Sequence, residues 1–256
     1  MEDLGGGLKV TGTLGMEAKG RQSTDVTNHD ASLTLTSGSF AISMGSSEVG
    51  ADARKGDVSN ISNEVGFDDA DYNMATPIYD YLAMSLNLGG GLTAGFSYSD
   101  MANASATATV SSVATLGDTT ATDKISKLSL AYVNGPLMAY GSYAFSAGTQ
   151  TDAVVAAGKK DSQTSLAASY DLGVAKIGAG FQSQGAGTAS TSLITMNVPM
   201  GAIDVGAGFV KYGAVKGFLV GGNYSFSQTT MLRVGYQSSD ASGNDGAYRI
   251  KLTKTF

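Results

Sequence analysis

Between Ser47 and Pro77 the chain gathers Glu48, Asp52, Asp57, Glu64, Asp68, Asp69 and Asp71 against only Arg54 and Lys55. Within that stretch, Asp68-Asp69-Ala70-Asp71 places three carboxylates close enough in sequence to attract a hard cation such as Ca²⁺, which takes six to eight oxygen ligands. The run lacks the glycine and glutamate spacing of a helix-loop-helix calcium site, so mutual repulsion in a wet loop is the competing reading. Covalent catalysis has little to work with. The single histidine, His29, falls in an expected rim region, and without it no Ser-His-carboxylate or Cys-His set can be assembled, since there is no cysteine. Gly89-Gly90-Gly91 reads as a turn between strands and not as a phosphate cradle ahead of a helix.

The elements that must carry this loop are strands. From Leu8 onward, segments of roughly ten residues alternate apolar and polar positions. The expected spans are Leu8 to Ala18, Asp30 to Ser37, Ser39 to Ser46, Ile78 to Leu88, Leu92 to Met101, Lys124 to Val133 and Leu137 to Ser146. They continue with Ser162 to Leu172, Val174 to Gln184, Ser190 to Pro199, Ala202 to Tyr212, Lys216 to Ser227, Thr229 to Ser239 and Asp245 to Phe256. This makes about fourteen strands in a single domain over residues 1–256.

The last strand states the pattern most openly. Tyr248, Ile250, Leu252, Lys254 and Phe256 share one mostly apolar face, while Ala247, Arg249, Lys251, Thr253 and Thr255 share the other. A greasy face with aromatic residues near both ends, backed by a polar face with cations, suits a barrel with lipid outside and water inside. The same parity points Leu33, Phe40, Leu82, Met84, Phe96, Leu130, Phe209, Val220 and Val234 outward.

Connections sort by length. Ser37-Gly38, Gly89 to Gly91, Asn134 to Pro136, Asp171 to Gly173, Pro199 to Gly201 and Ser227-Gln228 are short and fall at one end, whereas the opposite end takes the long ones. That asymmetry is expected of an antiparallel up-and-down barrel in an outer membrane, and a soluble sandwich gives no reason for it. Composition agrees. No apolar stretch approaches the ~20 residues of a spanning helix, and a mean hydropathy of +0.01 is what two-faced strands produce. A net charge of −6 argues against nucleic acid as a partner. No signal-peptide pattern stands at Met1, so a processed chain or a recombinant form is expected.

Three motifs resemble the general diffusion porins of Gram-negative bacteria. Glu2-Asp3-Leu4-Gly5-Gly6-Gly7-Leu8-Lys9-Val10 resembles the turn after the second strand of those barrels. Gly38-Ser39-Phe40-Ala41-Ile42-Ser43-Met44-Gly45, running on to Gly56-Asp57-Val58-Ser59, is similar to the strand entering the constriction loop of alphaproteobacterial-type porins. The last strand, ending on Phe256, resembles their C-terminal assembly signal, carried here by Tyr248, Ile250, Leu252 and Phe256. The resemblance implies a homotrimer of water-filled barrels of about sixteen strands, so that this chain begins one hairpin late. A closed barrel of about fourteen strands stays open as the alternative.

With that resemblance, the long acidic loop is expected inside the lumen, where Asp52, Asp57, Glu64, Asp68, Asp69 and Asp71 would face the wall cations Lys9, Lys127, Lys176, Arg233, Arg249 and Lys251. Opposed charges of this kind set a field across a constriction, which orients polar solutes and excludes apolar ones. An external, solvated acidic loop is the plain alternative. The expected function is passive diffusion of small hydrophilic solutes and ions across the bacterial outer membrane, with outer-membrane lipid around the barrel, no enzymatic activity and no cofactor beyond the weak Ca²⁺ candidate. The rival is a barrel serving as a surface anchor or adhesin, which should invest in several large aromatic-rich loops. The Ala/Thr/Ser-rich stretch from Ala102 to Asp123 is instead low in complexity.

Overall fold

In a computed structural model of the chain, the structure describes residues 1–18, 26–48, 52–60, 78–100, 124–146, 162–184, 190–240 and 246–255. They form β1 (Glu2–Gly5), β2 (Leu8–Ala18), β3 (Val26–Thr36), β4 (Phe40–Glu48), β5 (Ile78–Gly89), β6 (Leu92–Asp100), β7 (Lys124–Asn134) and β8 (Leu137–Ser146). There follow β9 (Ser162–Asp171), β10 (Lys176–Gln184), β11 (Thr191–Met200), β12 (Ile203–Tyr212), β13 (Val215–Ser227), β14 (Thr230–Ser239) and β15 (Ala247–Lys254). A single turn of 3-10 helix covers Asp52–Gly56 after β4. All fifteen strands lie in one sheet in sequence order. Each pairs antiparallel with the next, as in β11 against β12 from Thr191↔Tyr212 to Met200↔Ile203. The sheet is not closed: among the described residues β1 pairs only with β2, and β15 only with β14.

The sheet must nevertheless curl. Ala53 follows the end of β4 by five residues, which reach at most ~18 Å, yet its carbonyl lies against Gly180 on β10. Six strand spacings across a flat sheet would be about 29 Å. Only a wall bent around an interior brings β10 back within reach of β4.

The two faces of that wall are inverted relative to a soluble protein. Leu33, Met44, Met84, Leu128, Leu130, Leu166, Ile194, Phe218 and Val234 are exposed, while Ser99, Ser142, Ser165, Gln182, Thr195, Asn197, Asn223 and Gln237 are buried. Apolar side chains turned outward and polar ones turned in are what lipid outside and water inside require. Among the described residues the inner wall carries an apolar patch on β11 to β13. Leu193 stands opposite Val210, Leu219 lies beside them, and all three are buried. Aromatic side chains collect on the outer face at two levels. Phe218 and Tyr236, with ring centroids 5.8 Å apart, and Tyr236 and Tyr248, at 4.8 Å, lie toward the long connections. Tyr224 and Phe226, at 4.8 Å and edge to face, lie at the short-turn end.

Four sequence expectations change. Among the described residues the strands number fifteen, because Glu2–Gly5 pairs with Leu8–Val10 around a glycine turn; its polar residues carry no apolar alternation to betray it. The turn needs its glycines, since Gly5, Gly6 and Gly7 all have positive φ. Strand β3 begins at Val26, so His29 lies within a strand and not in the connection before it; the ladder with β2 extends to Val26↔Ala18 through an irregularity at Gly15/Met16. The ninth expected strand starts later, at Lys176, because Gly173 takes positive φ and its N–H bonds back to Asp171. The end of long connections includes one short turn, Gly213–Ala214 between β12 and β13, so the sorting of loops by length is not complete.

Candidate functional site

The segment Asp52–Asn60 lies on the inner wall, and the wall is built to receive it. Lumen-facing positions of β10 are Gly178, Gly180 and Gln182, alternating with the outward Ile177, Ala179 and Phe181. A Cβ on Gly178 would collide with the carbonyl of Gly56, and one on Gly180 with the carbonyl of Ala53. Gly56 is in turn pressed against the backbone of Ala179. Glycine is needed here for close approach of two backbones. Ala53, fully buried, fills the space above this seat.

Beyond the seat, side chains of successive strands hold the loop backbone. Thr195 on β11 donates through Oγ1 to the Gly56 carbonyl at 2.9 Å and accepts from the Val58 N–H at 3.0 Å. Asn197 donates to the Ser59 carbonyl at 3.5 Å, and Asn223 on β13 donates to the Asn60 carbonyl at 3.1 Å. Asn60 sits at φ 59°, a left-handed conformation that asparagine accepts more readily than most residues. Buried backbone groups demand partners, and here the wall's polar side chains supply them.

The other end of the segment is held by charge. Asp52 accepts from Ser142 Oγ at 2.6 Å and pairs with Lys127 Nζ at 3.4 Å, with the two charged side chains 11% and 24% exposed. Lys55 places its ammonium 4.7 Å from the centroid of the Tyr140 ring, on β8 two positions before Ser142. A charge-assisted hydrogen bond such as Ser142–Asp52 contributes about 1.5–3 kcal/mol, and it lies at the start of the segment that the seat and the Asn/Thr ladder continue.

Of the residues singled out from sequence, Asp52 and Lys127 are brought together in direct contact, not across a gap. Asp57 turns one carboxylate oxygen to the Ser59 N–H at 2.8 Å, and its other oxygen is buried without a protein partner. Lys176 pairs with Asp171 at 3.5 Å near the short turns. Arg233 stands opposite Lys251, and Arg249 stands opposite Gly235, so these cations share the inner face of β14 and β15 with Asn223 of β13. Lys9 is exposed on β2. Tyr248, Ile250 and Leu252 are strongly exposed on the outer face. Glu64, Asp68, Asp69, Asp71 and Phe256 lie outside the described residues, and with them the Ca²⁺ candidate.

The residues that position the loop were not among those expected. Gly178, Gly180, Thr195, Asn197, Asn223 and Ser142 are neutral and small, and only parity marks them as inward. The signal that could have found the seat is the pair of glycines two apart on one strand, Gly178 and Gly180, which leaves a bare strip of inner wall.

A family model described as Gram-negative porin matches residues 1–248. No curated protein matches the chain. Among solved structures the fold is similar to engineered variants of the porin of Rhodopseudomonas blastica. One aligns with a TM-score of 0.70 at 14% identity, covering 98% of this chain and 85% of that one. A second aligns with a TM-score of 0.68 at 15% identity, covering 97% of this chain and 85% of its own.

Proposed function

The chain belongs to the Gram-negative porin family, whose members are non-enzymatic outer-membrane channels, and from that premise we propose that it passes small hydrophilic solutes and ions by passive diffusion through a lumen narrowed by the segment Asp52–Asn60. The observation that carries the reading is the docking of that segment on the inner faces of β8 to β13, through Ser142, the Gly178/Gly180 seat, Thr195, Asn197 and Asn223. A loop held against the wall occupies cross-section that water would otherwise fill. Polar groups at its edge meet passing solutes, and apolar solutes lose hydration there without compensation.

Selectivity in this proposal is set by residual charge. Asp52 is compensated by Lys127, whereas Arg233, Arg249 and Lys251 form a basic inner strip. The acids Asp57, Glu64, Asp68, Asp69 and Asp71 oppose that strip, and a modest cation preference is the balance. A homotrimer, as the family resemblance implies, is part of the same proposal.

Purified protein inserted into a planar bilayer tests it directly. Stepwise ohmic conductance with a measurable reversal potential in a salt gradient is expected. Insertion without conductance would leave a barrel that serves another purpose, such as a surface anchor. Cross-linking in detergent, read as a three-chain species, tests the assembly.

A further inference from the structure

The ends of β13, β14 and β15 at the short turns border a cavity of about 480 Å³, within the ~300–1,000 Å³ range of small-molecule sites. Six of the side chains lining it are hydroxyls, among them Ser225, Ser227, Thr253 and Thr255, and Arg233 is its charged member. No carboxylate and no aromatic ring belongs to that lining. Register explains the gathering. Ser225 stands opposite Met231 and Met231 opposite Thr253, two positions along the inner face from the facing pair Arg233 and Lys251.

The cavity offers donors. Ser227 Oγ already accepts the Thr229 N–H at 3.2 Å, and Thr229 Oγ1 accepts the Lys254 ammonium at 2.8 Å. The two hydroxyls stand 3.4 Å apart, so at most one of their hydrogens is used between them and the other is left for the cavity. Arg233 donates through Nε to Met231 Sδ at 3.4 Å, which sets the edge of a guanidinium that carries five N–H donors. Charge has the same sign, since Lys251 faces Arg233 across the ladder. The acid in register with them on this face, Asp204, lies beyond Asn223, two strand spacings or about 10 Å from Arg233.

We infer that this cavity is a subsite for a tetrahedral oxyanion, the phosphate group of a small phosphorylated solute, at the short-turn mouth of the lumen. The planar fork of a guanidinium matches two oxygens of a phosphate, and the hydroxyl hydrogens take the others. A cation is repelled by Arg233 and Lys251, and a neutral sugar finds no aromatic ring to stack on. The subsite rests on the pore reading for access through the lumen, and on Arg233 and the hydroxyls for affinity. It draws on none of the residues that seat the loop.

The test uses the whole chain in detergent with inorganic phosphate as probe, read by phosphorus NMR line broadening, and the same preparation in a planar bilayer in potassium chloride. The parent should bind phosphate saturably. Arg233→Gln should weaken binding by roughly tenfold or more, the scale of a lost hydrogen bond between charged groups. Thr253→Val with Thr255→Val leaves every charge in place and should weaken it severalfold, which general attraction of an anion to a basic wall would not produce. Lys211→Gln, which removes a charge from the outer face of β12, should change nothing. Binding that does not saturate in the parent, that is equal in parent and Arg233→Gln, or that the threonine pair leaves unmoved, overturns the subsite. If Arg233→Gln fails to fold, the threonine pair decides alone. Conductance separates the two readings: a conducting parent that binds no phosphate keeps the pore and loses the subsite, and a silent barrel that binds it keeps the subsite and loses the pore.

Discussion

The carbonyl oxygen of Ala53 lies where a Cβ on Gly180 would have to stand. Two parts of the chain separated by more than a hundred residues thus meet backbone to backbone, and the absence of one side chain sets how close the loop comes to the wall. Neither partner is a flexible side chain that could swing aside.

Gly180→Ala is therefore expected to lift the loop off β10 and into the open lumen. Overpacking of this kind costs about 1–3 kcal/mol, enough to depopulate the seated position while leaving the ladder of β9 to β11 intact. Single-channel conductance should fall and current noise should rise. Ala179→Leu, whose side chain points outward, should change neither. Identical traces for Gly180→Ala and parent would mean that the seat does not govern the aperture.

Thr195→Val removes the hydroxyl that bonds both the Gly56 carbonyl and the Val58 N–H. Two backbone groups then lose their partner at about 1–3 kcal/mol each when buried. The loop should release at lower applied voltage than in the parent, seen as earlier closure in voltage ramps, and Thr195→Ser should restore the threshold. Failure of Ser to rescue would assign the effect to packing of the Thr methyl.

Much of the wall was legible because a strand's parity converts directly into a side. Leu33, Phe40, Leu130, Val220 and Ile250 were expected outward, and all are exposed on that face. The strand β2 was read with its observed bounds, since its alternation runs uninterrupted to Ala18. The loop's anchoring was not legible. Charge drew attention to Asp52 and Lys127, which do meet, but hydrogen bonds from Thr195, Asn197 and Asn223 link residues well over a hundred positions apart and leave no local pattern. The short β1 was missed for a related reason: its pairing depends on a glycine turn and not on an apolar face.

The outward row Tyr248, Ile250 and Leu252, 83%, 72% and 66% exposed, ends at Phe256 by sequence. If this row and its terminal aromatic are read during assembly, Phe256→Ala should slow insertion into bilayers while inserted channels keep the parent conductance. Folding followed by the heat-modifiable shift on gels checks the first, and single-channel recording the second. Equal insertion kinetics would remove the assembly role.

Charge at the loop gives the most decisive prediction because the direct contact of Asp52 and Lys127 makes its sign specific. Lys127→Gln leaves Asp52 uncompensated, so cation preference should rise. Asp52→Asn leaves Lys127 uncompensated and should shift the reversal potential toward anions. The two shifts should be opposite in sign, and the double substitution should return near the parent, since the pair contributes little net charge. All three effects should shrink as the Debye length falls from ~30 Å at 0.01 M to ~10 Å at 0.1 M salt. Neutralising Asp57, Glu64, Asp68, Asp69 and Asp71 together should move the channel further toward anions, because it removes five negative charges while Arg233, Arg249 and Lys251 keep theirs on the inner wall. Reversal potentials that do not respond to any of these changes would place the acidic segment outside the ion path and withdraw the constriction from the proposal.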